Sequence, residues 1–483
     1  MSEPSGANRR KKMIFVGLGA VALLLAAFGA FAWQRSRPMF DPDEVHAARA
    51  RLERERRELL AMTCARTAIG DAAPTNQEAF DDLVFGARWA ECRRLASAEG
   101  LDTVTNEAGH SFDWTLDRGD GDVTTPPVEN ARYMRTHGPP ARSAEIDAAE
   151  AACEGLDEEV ARLAATTDLC TPARPAPSGW DPDPNYLPMI QIAKVVGLRA
   201  RRLAREGSTF EGMQLLLQGL AVIRDLRRGP AHLLVAMSSV AAEGILLSHA
   251  VTLLLADPEL SATDVDTLDA TLLTLLGDEI PQHVLWRAER NATADVVPLN
   301  DEARDLMVMS ASAMDLSWCP EGAGAEACLA ALRERSADAG ALPPEWRLVL
   351  LGPRSNRAEM IRWSQEQLLQ TYDTYLARLL VADSNLALLR AALAWARART
   401  SAESCPPTLP EDRLRVTTSD DPIEIVPYDG DTFEMRAPAL RAWPGAERTV
   451  VYLACPASGV GWFDADGEPV PSAASDPAAD GPS

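Results

Sequence analysis

Residues 13–33, MIFVGLGAVALLLAAFGAFAW, carry no charged side chain, and Arg9, Arg10, Lys11 and Lys12 stand directly before them. A helix of that length rises about 30 Å, the hydrocarbon thickness of a bilayer. Ten of its residues are Leu, Ile, Phe or Val. At insertion values of about −0.3 to −0.6 kcal/mol each they favour a membrane-embedded state by roughly 3 to 6 kcal/mol. Only Arg35 and Arg37 flank the far side, so the positive-inside rule places residues 1–12 in the cytoplasm and the body across the membrane. Ala30, Phe31 and Ala32 match an A-x-A cleavage site. The run is longer than the roughly 7 to 15 residues of a signal peptide's apolar region, which favours an uncleaved, single-pass anchor, and under either reading the body is exported. Gly17, Gly19 and Ala22 match half of a dinucleotide-binding fingerprint, but no strand precedes them and no βαβ unit follows.

Charge narrows the partners. Beyond residue 37 the chain holds 41 Lys and Arg against 70 Asp and Glu, a net −29. Nucleic acid, whose binding rests on neutralising phosphates with basic surface, is excluded as a partner, and anionic lipid headgroups repel the body. The chain has three lysines beside 44 arginines, with abundant Ala. This reads as the codon usage of a GC-rich bacterium and argues against a catalytic lysine. The expected location is the bacterial inner membrane, with a periplasmic or otherwise extracytoplasmic body.

The cysteines are Cys64, Cys92, Cys153, Cys170, Cys319, Cys328, Cys405 and Cys455, with no C-x-x-C and no His at ligand spacing. A metal site is therefore not expected. An even count in an oxidising compartment reads as disulfides. Pairing neighbours in sequence gives Cys64 with Cys92, Cys153 with Cys170, Cys319 with Cys328, and Cys405 with Cys455.

The hydrophobic period predicts a mainly α fold, a body of αα-hairpins behind the anchor with a small C-terminal β-meander. Asp41, Pro42, Asp43 and Glu44 start a helix that runs to about Ile69, with Val45, Ala48, Leu52, Leu59 and Met62 on one face. A capping box from Thr75 to Glu78 opens a second helix, with Phe80, Leu83, Val84 and Trp89, ending at Gly100. Residues 101–142 read as loop and residues 144–166 as a third helix. These make an N-terminal helical, disulfide-stapled subdomain over residues 34–170. A Pro-rich linker over 171–188 leads to a main helical domain over 189–400. There Gly207 ends one helix and a capping box from Ser208 to Glu211 starts the next. Residues 231–256 are apolar enough to test as a second span. Glu243 at their centre and the order of flanking charges, Arg224, Arg227 and Arg228 before and Asp257 and Glu259 after, make them a buried core helix instead. A capping box from Ser261 to Asp264 follows, and a long helix over 358–400 has a potential break at Asp383, Ser384 and Asn385. Strands are expected at 423–426, 432–435, 449–454 and 460–463, with a hairpin turn at Asp429 and Gly430, in a module over 401–470 before a disordered tail over 471–483.

Residues 198–230, with Phe210, Met213 and Pro230, resemble a single tetratricopeptide-type unit, with no repeat at the 34-residue period of such arrays. The C-terminal quarter is similar to pseudopilin-type tails. It has a helix with Leu386, Leu389, Arg390 and Leu393, then Cys405, Pro406, Pro407, Thr408 and Leu409, then Asp421, Pro422, Tyr428 and Gly430. Cys405 stands where that pattern has Tyr, the gap from Pro422 to Tyr428 is one residue longer, and the prepilin cleavage motif is missing. The likeness, over about 90 of 483 residues, implies an exported envelope protein and brings no catalytic residue.

No H-E-x-x-H, Walker A, G-x-S-x-G or S-x-x-K is present, and no cofactor is expected. Gly109, His110, Ser111 and Asp113 read as solvated loop. Asp181, Asp183 and Asn185, and Asp464, Asp466 and Gly467, lack the remaining ligands of a calcium loop. The sharpest catalytic candidates are His232, Ser239 and Glu243, spaced by seven and four on one face of an apolar helix. Burial there raises a carboxylate's proton affinity, as acid–base work requires. The structural alternative pairs Glu243 with Arg287, Arg290 or Arg362. Two functions follow: a membrane-tethered protein of the bacterial envelope that acts by binding or as a scaffold for an envelope protein partner, or a hydrolase-like envelope enzyme with a site around Glu243.

Overall fold

The computed structural model describes residues 40–62, 64–96, 148, 151–169, 187–229, 233–256, 260–278, 280–295, 301–338, 357–399, 407–429, 432–442 and 450–454, and the strand pieces 104–105 and 111–112. The anchor at 13–33, the linker at 171–188, the strand at 460–463, the tail at 471–483, the Cys405–Cys455 pair and His232 lie outside them. The described residues are mainly helical, with twelve helices and five short strands. The chain forms two compact units, a smaller one from Met1–Arg54, Thr293–Met314 and Gly340–Leu368 and a larger one from Glu55–Ala292, Asp315–Ala339 and Leu369–Ser483.

Helix α1 (Pro42–Leu60) starts as its residues dictate: Asp41 Oδ1 accepts from the Asp43 N–H at 2.9 Å and Pro42 takes the first helical position. Its apolar stripe, Val45, Ala48 and Leu52, forms the core of the smaller unit with Phe40, Val308 and Ala311. The helix stops at Leu60 rather than near Ile69. Past Met62 the backbone instead serves a later helix, α4 (Leu156–Ala164): Arg66 N–H donates to Thr167 O at 2.7 Å, Ile69 N–H to Ala164 O at 3.0 Å and Ala73 N–H to Ala165 O at 2.8 Å. These bonds turn residues 64–73 into a strap across the end of α4.

Between them lie α2 (Gln77–Phe85) and α3 (Ala90–Ala96). The cap of α2 is Asn76, whose Oδ1 accepts from the Ala79 N–H at 2.9 Å, and Thr75 instead bonds Asp168. The helix ends at Gly86, not Gly100, and Arg93 holds the end by donating to Leu83 O at 2.8 Å and Gly86 O at 2.6 Å. This break corrects the disulfides. Cys92 on α3 bonds Cys153 just before α4, with Cα atoms 4.9 Å apart, so the Cys64–Cys92 and Cys153–Cys170 pairs do not form. Cys64 is itself disulfide-bonded. Cys319 bonds Cys328 as expected. The pieces β1 (Val104–Thr105) and β2 (Ser111–Phe112) pair antiparallel.

Helices α5 (Leu187–Arg205), α6 (Thr209–Asp225) and α7 (Leu233–Ala256) pack on one another at the centre of the larger unit. Gly207, at φ +91°, ends α5, and the Ser208 N–H reaches back to Leu203 O at 2.8 Å. Ser208 is the N-cap of α6, but its side chain makes no cap bond, so the expected capping box is absent. α5 and α6 touch at Gly212, where an added Cβ would lie 2.5 Å from Ala200 O. The rest of the body is α8 (Ala262–Gly277), α9 (Gln282–Asp295), α10 (Asp301–Ala313), α11 (Ala325–Asp338) and α12 (Arg357–Arg399). The Ser261–Asp264 capping box is present with both of its bonds. α12 runs unbroken for 43 residues; Ser384 Oγ donates to its own turn at Leu380 O, 3.0 Å away, so the polar triplet does not interrupt it. Strands β3 (Glu424–Asp429), β4 (Thr432–Arg436) and β5 (Val450–Ala454) form an antiparallel sheet in that order. Two stretches, Leu233–Val251 in α7 and Leu369–Ala398 in α12, are long and apolar enough to cross a membrane; 59% and 72% of them is buried inside the protein.

Candidate functional site

α6 is almost wholly buried, and its last residues, Arg224 and Asp225, lead into a turn of Leu226, Arg227 and Arg228. Three i to i−3 bonds tighten this end: Leu226 N–H to Ile223 O, Arg227 N–H to Arg224 O and Arg228 N–H to Asp225 O, at 3.2, 3.0 and 3.1 Å. The tight turn fans four charged side chains to different sides, and none exceeds 4% exposure. Guanidiniums at a helix C-terminus are favoured by its exposed carbonyls, but burial on this scale requires counter-ions.

Two clusters supply them. In the first, Glu243 of α7, 0% exposed, accepts from Arg224 Nη1 at 2.9 Å on Oε1 and from Arg227 Nη2 at 2.6 Å on Oε2. Arg224 Nη1 also donates to Asp383 Oδ1 of α12 at 3.3 Å. In the second, Arg228 Nε donates to Asp225 Oδ1 at 2.9 Å, Arg66 Nε pairs with Asp225 Oδ2 at 3.0 Å, and Arg228 Nη2 reaches Asp278. Arg66 continues to the end of α4, donating to Leu163 O at 2.5 Å and Ala164 O at 2.9 Å. Asp225 is thus the junction of the strap, α4, α6 and the residue after α8.

The electrostatics separate the two carboxylates. Burial pushes Glu243 up, but Arg227 and Arg224 hold it below the usual carboxylate range. Burial of Asp225 outweighs the pull of Arg66 and Arg228 and carries it up to about 7. The expected rise in Glu243's proton affinity is therefore reversed: with both oxygens on guanidiniums and no exposure, it lacks the access and basicity that acid–base catalysis requires. Its partners also differ from Arg287, Arg290 and Arg362. Arg287 Nε donates instead to Glu55 at 2.8 Å, and Arg290 pairs with the same carboxylate. Ser239 Oγ donates to Ile223 O at 2.7 Å, which ties α7 to the last turn of α6.

Higher on α7, His249 is buried against Gly197 of α5, where an added Cβ would lie 1.9 Å from its ring. Burial, and then Arg201, hold His249 well below the usual histidine value, so it is neutral. Tyr375 of α12 lies beside the first cluster, and burial raises its hydroxyl. Trp286 of α9 packs on Tyr372 and Tyr375 at 3.8 and 5.9 Å between ring centroids, and Trp318 lies 5.4 Å away. Among the described residues no group of three or more His, Cys, Asp or Glu side chains could hold a metal ion.

Sequence reasoning found Glu243 and Ser239 but passed over Arg66, Asp225 and Asp383 and treated Arg224, Arg227 and Arg228 as flanking charges. The available signal was the density of charge on an apolar helix end: three arginines and an aspartate within five residues have to be neutralised together. No protein-family model, curated protein or solved structure matches the chain.

Proposed function

We propose that the chain is a membrane-tethered helical protein of the bacterial envelope, anchored through residues 13–33 with its N-terminus in the cytoplasm, and that it acts by binding an envelope protein partner or holding one in place. The observation that carries this reading is the placement of two disulfides, Cys92–Cys153 before α7 and Cys319–Cys328 after it. Disulfides persist in oxidising compartments, and a pair on each side of α7 supports the reading in which α7 is a core helix of an exported body. The inward turn of Glu243 and His249 onto α6 and α5 supports the same reading. The hairpin of α5 and α6, with its likeness to one tetratricopeptide-type unit, and the tail's likeness to pseudopilins agree with an envelope scaffold. The enzyme reading loses its best candidate because Glu243 is committed to two arginines.

Topology is tested by fusing alkaline phosphatase or green fluorescent protein after residue 483. An active phosphatase and a dark fluorescent protein are expected, and the reverse overturns the export reading. Binding is tested by crosslinking in whole cells. One discrete envelope protein crosslinked to the anchored chain is expected, and repeated recovery of the chain alone overturns the binding reading.

A further inference from the structure

Helix α7 is apolar around most of its circumference, and a helix of that kind belongs inside a protein. Only part of α7 is inside. Its buried side carries Glu243 and His249. Leu234, Met237, Ala241, Gly244 and Ile245, at the three- and four-residue spacing of one helix face, line the opposite side. Leu234 is 65% exposed and the other four are half-buried. A Cβ at Gly244 would meet no atom within 4 Å, so the face has a notch along its length and carries no charge. Left to water, such a stripe forfeits the gain that holds the rest of the core, and contiguous apolar surface of this kind marks a place where something apolar docks.

The sheet indicates what docks there. β5 packs on α7, so the chain leaves the sheet beside this helix. The residues after Ala454 lie outside the described residues and belong to the same compact unit as α7. They bring Val460, Trp462 and Phe463 within four positions. Trp462 stands eight residues past Ala454, a reach of up to about 27 Å, and the open face runs about 16 Å from Leu234 to Ile245. In the strand expected at 460–463, Val460 and Trp462 share one side, with Gly461 between them. Two other apolar runs outside the described residues, 13–33 and 346–351, both fall in the smaller unit. We propose that Val460 and Trp462 dock on the open face of α7, with the Trp462 indole over the Gly244 notch, so that an apolar binding face is occupied by the chain's own C-terminal segment. The contact forms within one molecule and does not depend on an envelope partner.

The full chain is purified in detergent with the photo-crosslinker p-benzoylphenylalanine in place of Met237 or, separately, of Ile245, on either side of the notch. Both positions are half-buried on the open face, so the probe leaves the buried side of α7 intact. After illumination the monomer band is digested and mapped by mass spectrometry. A crosslink to the peptide holding residues 460–463 is expected from one or both probes, and it should be lost in Trp462→Asp. Gly244→Glu disturbs none of the described packing, because nothing lies within 4 Å of its Cβ, yet it fills the notch with a charge, and the crosslink should be lost there too. That variant decides the matter if Trp462→Asp fails to fold. Crosslinking to a second copy, to another segment or to no peptide at all overturns the proposal, as does a crosslink that survives Gly244→Glu.

Discussion

Glu243→Gln removes the one charge that Arg224 and Arg227 share while keeping the size of the side chain. Arg224 retains Asp383 at 3.3 Å, but Arg227, 1% exposed, is left with no carboxylate in hydrogen-bond reach. Breaking a buried pair from one side costs about 3–5 kcal/mol, because the remaining charge stays desolvated. An unfolding entropy near 2.1 cal/mol/K per residue, spread over a unit of this size, converts that into a fall of about 4–7 °C in melting temperature. The assay is a thermal melt followed by circular dichroism, repeated as a urea titration. The double variant Glu243→Leu with Arg227→Met removes the pair symmetrically and leaves Arg224 with Asp383, so it should recover at least half of the loss. The native carboxylate titrates lower folded than unfolded, so its contribution is present above the unfolded value near 4.5 and is lost as pH falls through the folded one. Glu243→Gln should lack that acid limb. A fall below about 1 °C for the single variant would refute the clamp and return Glu243 to the candidates for catalysis.

Asp225 has the opposite sign: its folded value near 7 lies above the unfolded 3.8, so the folded state binds the proton more tightly and stability is lost as pH rises from about 4 to about 7. Asp225→Asn should flatten that slope in melts between pH 5 and pH 8. Removing the Cys92–Cys153 bridge, which spans 61 residues, by a double change to Ala should cost about 4 kcal/mol in a urea titration. Gly197→Ala should destabilise by about 1–3 kcal/mol in the same titration, because its methyl collides with the His249 ring. Peptide mapping by mass spectrometry should link Cys64 to Cys170 and Cys405 to Cys455. Cys64 is disulfide-bonded while Cys92 is joined to Cys153 and Cys319 to Cys328, which leaves Cys170, Cys405 and Cys455 as its possible partners, and Cys170 is the nearest of them in sequence.

Much of the helical framework was legible because its signals are local. Pro42 after Asp41, Gly207 at a left-handed position and the Ser261–Asp264 box each act within a single turn, and each stands where the sequence pattern puts it. The core-helix reading of residues 231–256 rests on Glu243 in an apolar run and on the order of the flanking charges; the residues form α7, with Glu243 fully buried. Failures came where a distant partner decides. Periodicity past Leu60 looks helical, yet the backbone there finds better acceptors at the end of α4, about a hundred residues away. Cys92 sits on a helix of seven residues after a break, so it meets Cys153 rather than its neighbour in sequence. Glu243 in an apolar helix calls for an arginine, and Arg287, Arg290 and Arg362 are not the ones it meets. The right ones stand 19 and 16 residues before it, across the turn from α6 to α7, where flanking charge and paired charge read alike in sequence.

The clusters also govern when the protein can finish folding. The first joins residues 224, 227, 243 and 383, and the second joins 66, 225, 228 and 278. Neither can close while α6 is alone, and the first waits until four-fifths of the chain has been made. Helices α5 to α7 can collapse early through contacts near in sequence, the pairing of Arg224 and Arg227 with Glu243 among them, while Arg224 gains Asp383 only once α12 has been made. A contact that joins residues this far apart and forms after the rate-limiting barrier speeds unfolding when lost and leaves refolding nearly unchanged, which is the outcome expected for Asp383→Asn in stopped-flow unfolding and refolding. The charges then act as a kinetic bolt, set last and released first.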